Sequence, residues 1–162
     1  MWIATSVEAL FGTSGNATRE RYMATGLRQD YPQEFGRYYL LQKIAMGGMA
    51  EIYRAKAIGA EGFEKILVIK RILPHFCEDE SFVTMFKDEA RVASHLSHAN
   101  VVQIFDFDEV EGLYYIGMEY VEGQDLKHVL DVGTKMGTPM SIAQAVLVMI
   151  DAGQGLDYAH KR

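Results

Sequence analysis

Lys70 closes the apolar run Ile66-Leu67-Val68-Ile69, and nineteen residues later Glu89 falls on the apolar stripe of a helical pattern. Both charges stand where a protein ordinarily places aliphatic carbon. An ion buried without a partner costs on the order of several kcal/mol. Meeting each other removes most of that penalty, so the spacing predicts an inward ion pair between strand and helix. Upstream, Gly47 and Gly48 sit side by side between two β-prone segments. Adjacent glycines let backbone N–H groups crowd together without Cβ atoms, which makes a concavity suited to phosphate oxygens. A lysine beneath such a turn, held by a carboxylate, is a device for handling phosphate.

Each part has a plainer reading. A Gly-Gly hairpin is most often only a turn. Strand alternation puts Lys70 on the face of Ile66, Val68 and Ile72, where it reads equally as a strand-end lysine reaching for water, with Arg71 doing the same on the opposite face. Glu89 decides between them. Lys87, Asp88 and Arg91 account for the solvated side of the helix, whereas Phe82, Phe86, Glu89, Ala93 and Leu96 share one stripe. His95-x-x-His98 has the spacing of a metal pair, but no third ligand stands at a useful distance, so no metal site is predicted. Cys77 reads as a buried or loop thiol, the nine methionines as core and pocket filler, and no serine-histidine-acid set suggests hydrolysis.

The elements that must position these residues are legible from Phe35 onward. Tyr38 to Ile44 and Glu51 to Ala55 are β-prone and flank Met46-Gly47-Gly48-Met49, a hairpin signal. A third strand runs from Ile66 to Leu73, where Pro74 ends it. Glu78-Asp79-Glu80-Ser81 supplies acids and a cap for a helix reaching about His95. Val101 to Phe107 and Leu113 to Val121 read as two more strands, joined by an acidic turn containing Gly112. The pattern then turns helical: a short helix from Asp125 to about Val132, and after Pro139 a longer one whose Ser141 and Gln144 fit a capping box. Residues 1–34 lack periodicity and read as a mobile extension, with a short helix near Glu8.

Composition narrows the function. With 162 residues the chain can bury a real core, and its 49% hydrophobic content is ordinary for a globular protein. A net charge of −6 without clustered Lys and Arg argues against a nucleic-acid surface. The single cysteine rules out an intrachain disulfide and fits a reducing, cytoplasmic setting. No apolar run approaches the roughly 20 residues of a membrane helix. Met1 to Glu8 has no basic segment and an early acid, which argues against a signal peptide.

Taken together, the motifs resemble the N-terminal half of a protein kinase, in particular the eukaryotic-like serine/threonine kinases of bacteria. Ala45 to Ile52 follows the glycine-rich loop pattern G-x-G-x-x-G-x-V but keeps only its middle glycine. Leu67-Val68-Ile69-Lys70 follows V-A-I-K, and Leu96-Ser97-His98-Ala99-Asn100-Val101-Val102 is similar to the L-x-H-P-N-I-V turn, with alanine for proline. The resemblance implies ATP as nucleotide, with Lys70 on its α- and β-phosphates and Glu89 as the helix-C partner of Lys70. Tyr115 to Gly123 looks like the hinge. There Met118 would be the gatekeeper, and the Glu119 carbonyl and Val121 N–H would bond the adenine edge. Ile44, Ile52 and Val68 would form the apolar ceiling, Gly47 and Gly48 the phosphate turn, and Asp125 would reach the ribose or merely cap a helix.

The implied fold is α+β: a kinase N-lobe over 35–121, with a five-stranded antiparallel sheet plus helix C, then the hinge and helices D and E of a C-lobe over 122–162. Leu156 to Arg162 resembles the end of helix E. The family's catalytic aspartate and its Mg2+ ligands would lie beyond residue 162. The implied activity of the intact protein is transfer of the ATP γ-phosphoryl to hydroxyls of a protein substrate, with this chain inactive by itself. Alanine at 45 and 50, together with Val68 narrowing the adenine slot, motivates the alternative of a pseudokinase-type nucleotide-binding or interaction module.

Overall fold

The computed structural model describes residues 31–162; the reading of a short helix near Glu8 lies outside them. Among the described residues the chain forms β1 (Gln33–Phe35), β2 (Tyr38–Met46), β3 (Ala50–Ile58), β4 (Glu64–Ile72), helix α1 (Glu80–Ser94), β5 (Ile104–Val110), β6 (Leu113–Glu119) and helices α2 (Leu126–Lys135) and α3 (Ile142–His160). The strands make one antiparallel sheet in the order β1-β2-β3-β4-β6-β5.

The sheet has six strands where the sequence predicts five. The extra strand, β1, pairs Gln33 with Leu40 and Phe35 with Tyr38, so residues 33 and 34 join the sheet rather than the expected extension. Gly36 makes this hairpin possible. It has a φ of +56°, and a Cβ there would stand 2.8 Å from Val110 Cγ2. Its left-handed backbone next to an aromatic strand was the available signal.

Two apolar clusters cover the two faces of the sheet. Period-two alternation along β4 sends Leu67 and Ile69 to one face, with Tyr53, Leu40 and Tyr115. It sends Val68 and Ile72 to the other, where α1 lays Phe86, Ala90 and Ala93 against them. The core stripe of α1 is Val83, Phe86, Ala90 and Ala93. Phe82, read onto that stripe, instead packs against Phe76, with ring centroids 4.5 Å apart and the planes tilted by 47°. Ile66 also departs from its reading: it is exposed, because the helix covers β4 only from Val68 onward.

Turns and caps set the element ends. Glu111 (φ 52°) and Gly112 (φ 80°) form the two-residue turn between β5 and β6, the geometry that matches strand twist. Val101 and Val102 fall short of the strand predicted for them. The Val101 N–H bonds the His98 carbonyl at 3.0 Å, closing a turn that delays β5 to Ile104. Asp79 caps α1 by accepting from the Ser81 N–H at 2.9 Å. The predicted capping box of α3 is present in both arms: Gln144 N–H to Ser141 Oγ at 3.2 Å and Ser141 N–H to Gln144 Oε1 at 2.9 Å.

Candidate functional site

Lys70 lies in β4 and is 7% exposed, with Ile52 opposite it on β3 and Ile116 opposite it on β6. Its ammonium therefore emerges on the face covered by α1. There Glu89 meets it: Lys70 Nζ donates to Glu89 Oε1 at 2.9 Å and to Oε2 at 3.2 Å. The Phe86 ring, one helical turn before Glu89, stands 5.5 Å from the same nitrogen. Burial pulls the Lys70 ammonium below the ordinary lysine value, and the Glu89 charge and hydrogen bonds oppose that pull. A buried cation whose protein partner is a partly exposed carboxylate suits a third, anionic group.

The turn above this strand is tight. The Gly47 N–H bonds the Ala50 carbonyl at 2.8 Å, and β2 and β3 run directly into it. Nothing in the fold demands glycine at position 48: a Cβ there would meet no atom within 4 Å, and its φ lies outside the left-handed range. Ala50, which replaces the third glycine of the pattern, is buried at the root of β3.

The residues read as an adenine pocket are only partly brought together. Val68 pairs directly with Met118 across β4 and β6, and both join Ile52 in the cluster under α1. Ile44 stands outside it, 43% exposed. A bulge between Lys43 and Ala45 leaves Ile44 as the unpaired extra residue, so Ala45 takes the place opposite Ile52 and packs on the cluster. Glu119 ends β6, its N–H bonded to the Gln103 carbonyl at 2.9 Å, and Val121 lies beyond the strand, exposed. Asp125 caps α2, accepting from the His128 N–H at 2.7 Å.

His95 and His98 each use Nδ1 on nearby backbone, 2.7 Å from the Arg91 carbonyl oxygen and 3.1 Å from the Asn100 nitrogen. Among the described residues, no group of three or more His, Cys, Asp or Glu side chains could hold a metal ion.

Sequence reasoning missed two polar networks on the far face of the sheet. Arg71 does not reach for water but bonds Glu51 and Tyr53, and Lys43 completes the group. Burial raises the Glu51 carboxyl, yet hydrogen bonds from Arg71, Lys43 and Tyr53 outweigh it and hold the group below its ordinary value. In the second network, Asp106 Oδ2 accepts from the hydroxyls of Tyr38 and Tyr115, both at 2.7 Å, and pairs with Arg37. Burial pushes the Tyr115 hydroxyl up, and the bond to Asp106 adds to it. The one available signal was charge at inward strand positions 51 and 71.

Sequence reasoning also missed how the 96–102 turn docks. Asn100 Nδ2 donates to the Asp151 carbonyl at 2.8 Å, and the Ser97 N–H donates to the Tyr158 hydroxyl at 3.3 Å. His98 stacks on Tyr158, with centroids 5.1 Å apart. The turn that ends the Glu89 helix is thereby fastened to α3.

A sheet covered by one helix, with a lysine–glutamate pair between them, is the arrangement that comparison tests. Residues 38–162 match the family model for the protein kinase domain. The chain belongs to the protein kinase family. It is 46% identical over 129 residues to the tyrosine-protein kinase MasK of Myxococcus xanthus, covering 80% of this chain and 20% of that protein. It is 36% identical over 126 residues to the serine/threonine-protein kinase PrkC of Bacillus subtilis, covering 78% and 18%. The chain thus spans about a fifth of the length of these curated relatives. Among solved structures, the PknI kinase domain of Mycobacterium tuberculosis superposes with a TM-score of 0.64 at 24% identity, over 82% of this chain and 52% of that one. That likeness carries the fold.

Proposed function

We propose that this chain is the ATP-binding part of a bacterial serine/threonine protein kinase, which transfers the γ-phosphoryl of ATP to hydroxyls of a protein substrate. The observation that carries the reading is the Lys70–Glu89 pair at 2.9 Å, a buried strand lysine held by a half-buried helix carboxylate. Lys70 binds the α- and β-phosphates, and Glu89 holds the ammonium at that position. Gly47 and Gly48 present backbone N–H groups to the phosphates. Ile52, Val68 and Met118 line the base from the buried side, and the exposed Ile44 covers it from outside that cluster. The base edge bonds the Glu119 carbonyl and the Val121 N–H. In such a reaction the protein mainly positions groups and neutralises charge.

Magnesium would supply charge neutralisation in this chemistry through side-chain ligands, and among the described residues no group of three or more His, Cys, Asp or Glu side chains could hold a metal ion. We place those ligands, and the catalytic aspartate, beyond residue 162. By itself the chain then binds nucleotide and transfers nothing. Among the described residues no helix is long and apolar enough to cross a membrane.

Calorimetric titration of the purified chain with ATP tests the binding half. Saturable binding that Lys70→Met weakens supports the reading, and no binding by the wild type overturns it. The acceptor is where the named relatives divide, one a tyrosine and one a serine/threonine kinase. Phosphoamino-acid analysis of the intact protein decides it. Phosphoserine and phosphothreonine are expected, and phosphotyrosine alone would overturn that part.

A further inference from the structure

Glu51 is 8% exposed, on the sheet face opposite Lys70. Its Oε1 accepts from Lys43 Nζ at 2.6 Å. Its Oε2 accepts from the Tyr53 hydroxyl and from Arg71 Nη2, both at 2.8 Å. Arg71 Nη2 also donates to the Tyr53 hydroxyl at 2.8 Å. The Arg71 guanidinium lies over the Tyr53 ring at 4.9 Å and over Phe35 at 5.3 Å. One carboxylate therefore ties together β2, β3 and β4, with an aromatic lid from β1.

Its position gives this group leverage on the phosphate site. Glu51 is paired with Met46 on one side and Arg71 on the other. Met46 is the residue on which β2 enters the glycine turn, and Arg71 follows Lys70. The next register pair is Ile52 with Lys70. Any slip of β3 against β4 would thus move the ammonium relative to the turn. β2 carries two register shifts, between Leu40 and Gln42 and between Lys43 and Ala45. Each shift breaks the ladder locally, so the last pairs before the turn, Ala45 with Ile52 and Met46 with Glu51, form a short stretch of their own. Charge-assisted bonds are directional and penalise a shifted register, because a shift would leave a buried carboxylate unpaired.

We propose that Glu51, with Lys43, Arg71 and Tyr53, is a positioning residue for the phosphate half of the nucleotide site: the network sets the glycine turn over Lys70 from the opposite face of the sheet. The proposal rests on the nucleotide-binding reading above. A positioning role separates ligands that a general loss of structure would not. Adenosine uses only the base and ribose contacts, whereas an ATP analogue also uses the turn and Lys70.

The test is calorimetry on the purified chain with a non-hydrolysable ATP analogue and with adenosine, alongside thermal melts. Glu51→Gln and Lys43→Met are each expected to weaken the ATP analogue about tenfold, the size of one lost charge-assisted contact, and adenosine by less than about twofold. Lys43→Arg is expected to restore the analogue's affinity. Equal weakening of both ligands, or no weakening of the analogue, overturns the proposal. So does loss of cooperative melting in both Glu51→Gln and Lys43→Met, since the network would then be a structural staple. Wild-type protein that binds no analogue overturns the nucleotide reading, and this proposal with it. Lys70-dependent binding that neither variant alters overturns this proposal alone.

Discussion

Lys70 and Arg71 are neighbours in β4, yet each holds a carboxylate on its own side of the sheet: Glu89 under α1 and Glu51 behind it. Two adjacent cations pointing oppositely therefore tie β4 to α1 on one face and to β3 on the other. On the proposed reading, Lys70→Met removes the charge that would bind phosphate while keeping an unbranched side chain of similar length. In the intact protein, phosphoryl transfer is expected to fall about a hundredfold or more. Turnover of that variant equal to wild type would remove Lys70 from the mechanism.

Gly48→Ala separates what the fold needs from what a ligand needs. A Cβ at this position meets nothing within 4 Å and the backbone is not left-handed. The thermal midpoint is therefore expected to hold or rise slightly, since Gly→Ala at a compatible site stabilises by about 0.4–1 kcal/mol through the unfolded chain. If the turn cradles phosphate as proposed, ATP affinity is expected to fall, because a methyl group there would crowd a ligand packed against the backbone. A variant that binds ATP as tightly as wild type would show that the turn does not cradle phosphate.

Gly155 is the opposite case. It is the buried residue of α3, and a Cβ there would stand 2.9 Å from the Asn100 carbonyl oxygen, which is backbone and cannot swing away. Gly155→Ala is expected to destabilise by about 1–3 kcal/mol, as overpacking does, read as a lowered urea midpoint. An unchanged midpoint would mean that the 96–102 turn is not seated on α3 as described.

Acid titrates the far-face networks. Hydrogen bonds hold Glu51 and Asp106 below their unfolded values of 4.5 and 3.8, against burial that raises them. A carboxyl depressed by folding contributes stability that is present above its unfolded value and is lost as pH falls through its folded value. Urea midpoints of wild type and Asp106→Asn are therefore expected to differ at pH 6 and to converge toward pH 2.5, below both reference values. A constant difference across that range would show that the carboxylate charge adds nothing.

Helix α3 exposes Ile142, Val146, Leu147, Met149 and Ile150, α2 exposes Val129, Leu130 and Val132, and Met136 is exposed at the C-cap of α2. Leu156, further along α3, is half-buried. Apolar surface gathered in this way exceeds what a lone soluble face carries. The purified chain is expected to bind an apolar fluorescent dye and to self-associate as its concentration rises, and Met149→Lys with Leu147→Glu is expected to reduce both. Monomeric, dye-silent behaviour of the wild type would contradict this.

The alternation of β4, the inward placing of Phe86 and Ala93 on α1 and the caps at Asp79 and Ser141 were legible in the sequence because each depends on residues close together in the chain. The rest of the core stripe was not, since Val83 and Ala90 take the places read for Phe82 and Leu96. The pairing of Lys70 with Glu89 was legible too, since two inward charges on adjoining elements leave few other partners. The far-face networks were not legible in this way. Arg71 alone fits a snorkelling cation, and nothing local places Glu51 and Lys43 beside it.

The order of strands and helices, and the charge that had to be buried with Lys70, were determined by the sequence itself through periodicity and the cost of an unpaired ion. Tertiary structure alone decided the addition of β1, the bulge that turns Ile44 out and brings Ala45 in, and the docking of Asn100 on Gly155. Each depends on register or on contact between distant segments. A one-residue slip exchanges the faces of a strand, and only the assembled sheet makes one register cheaper than the next.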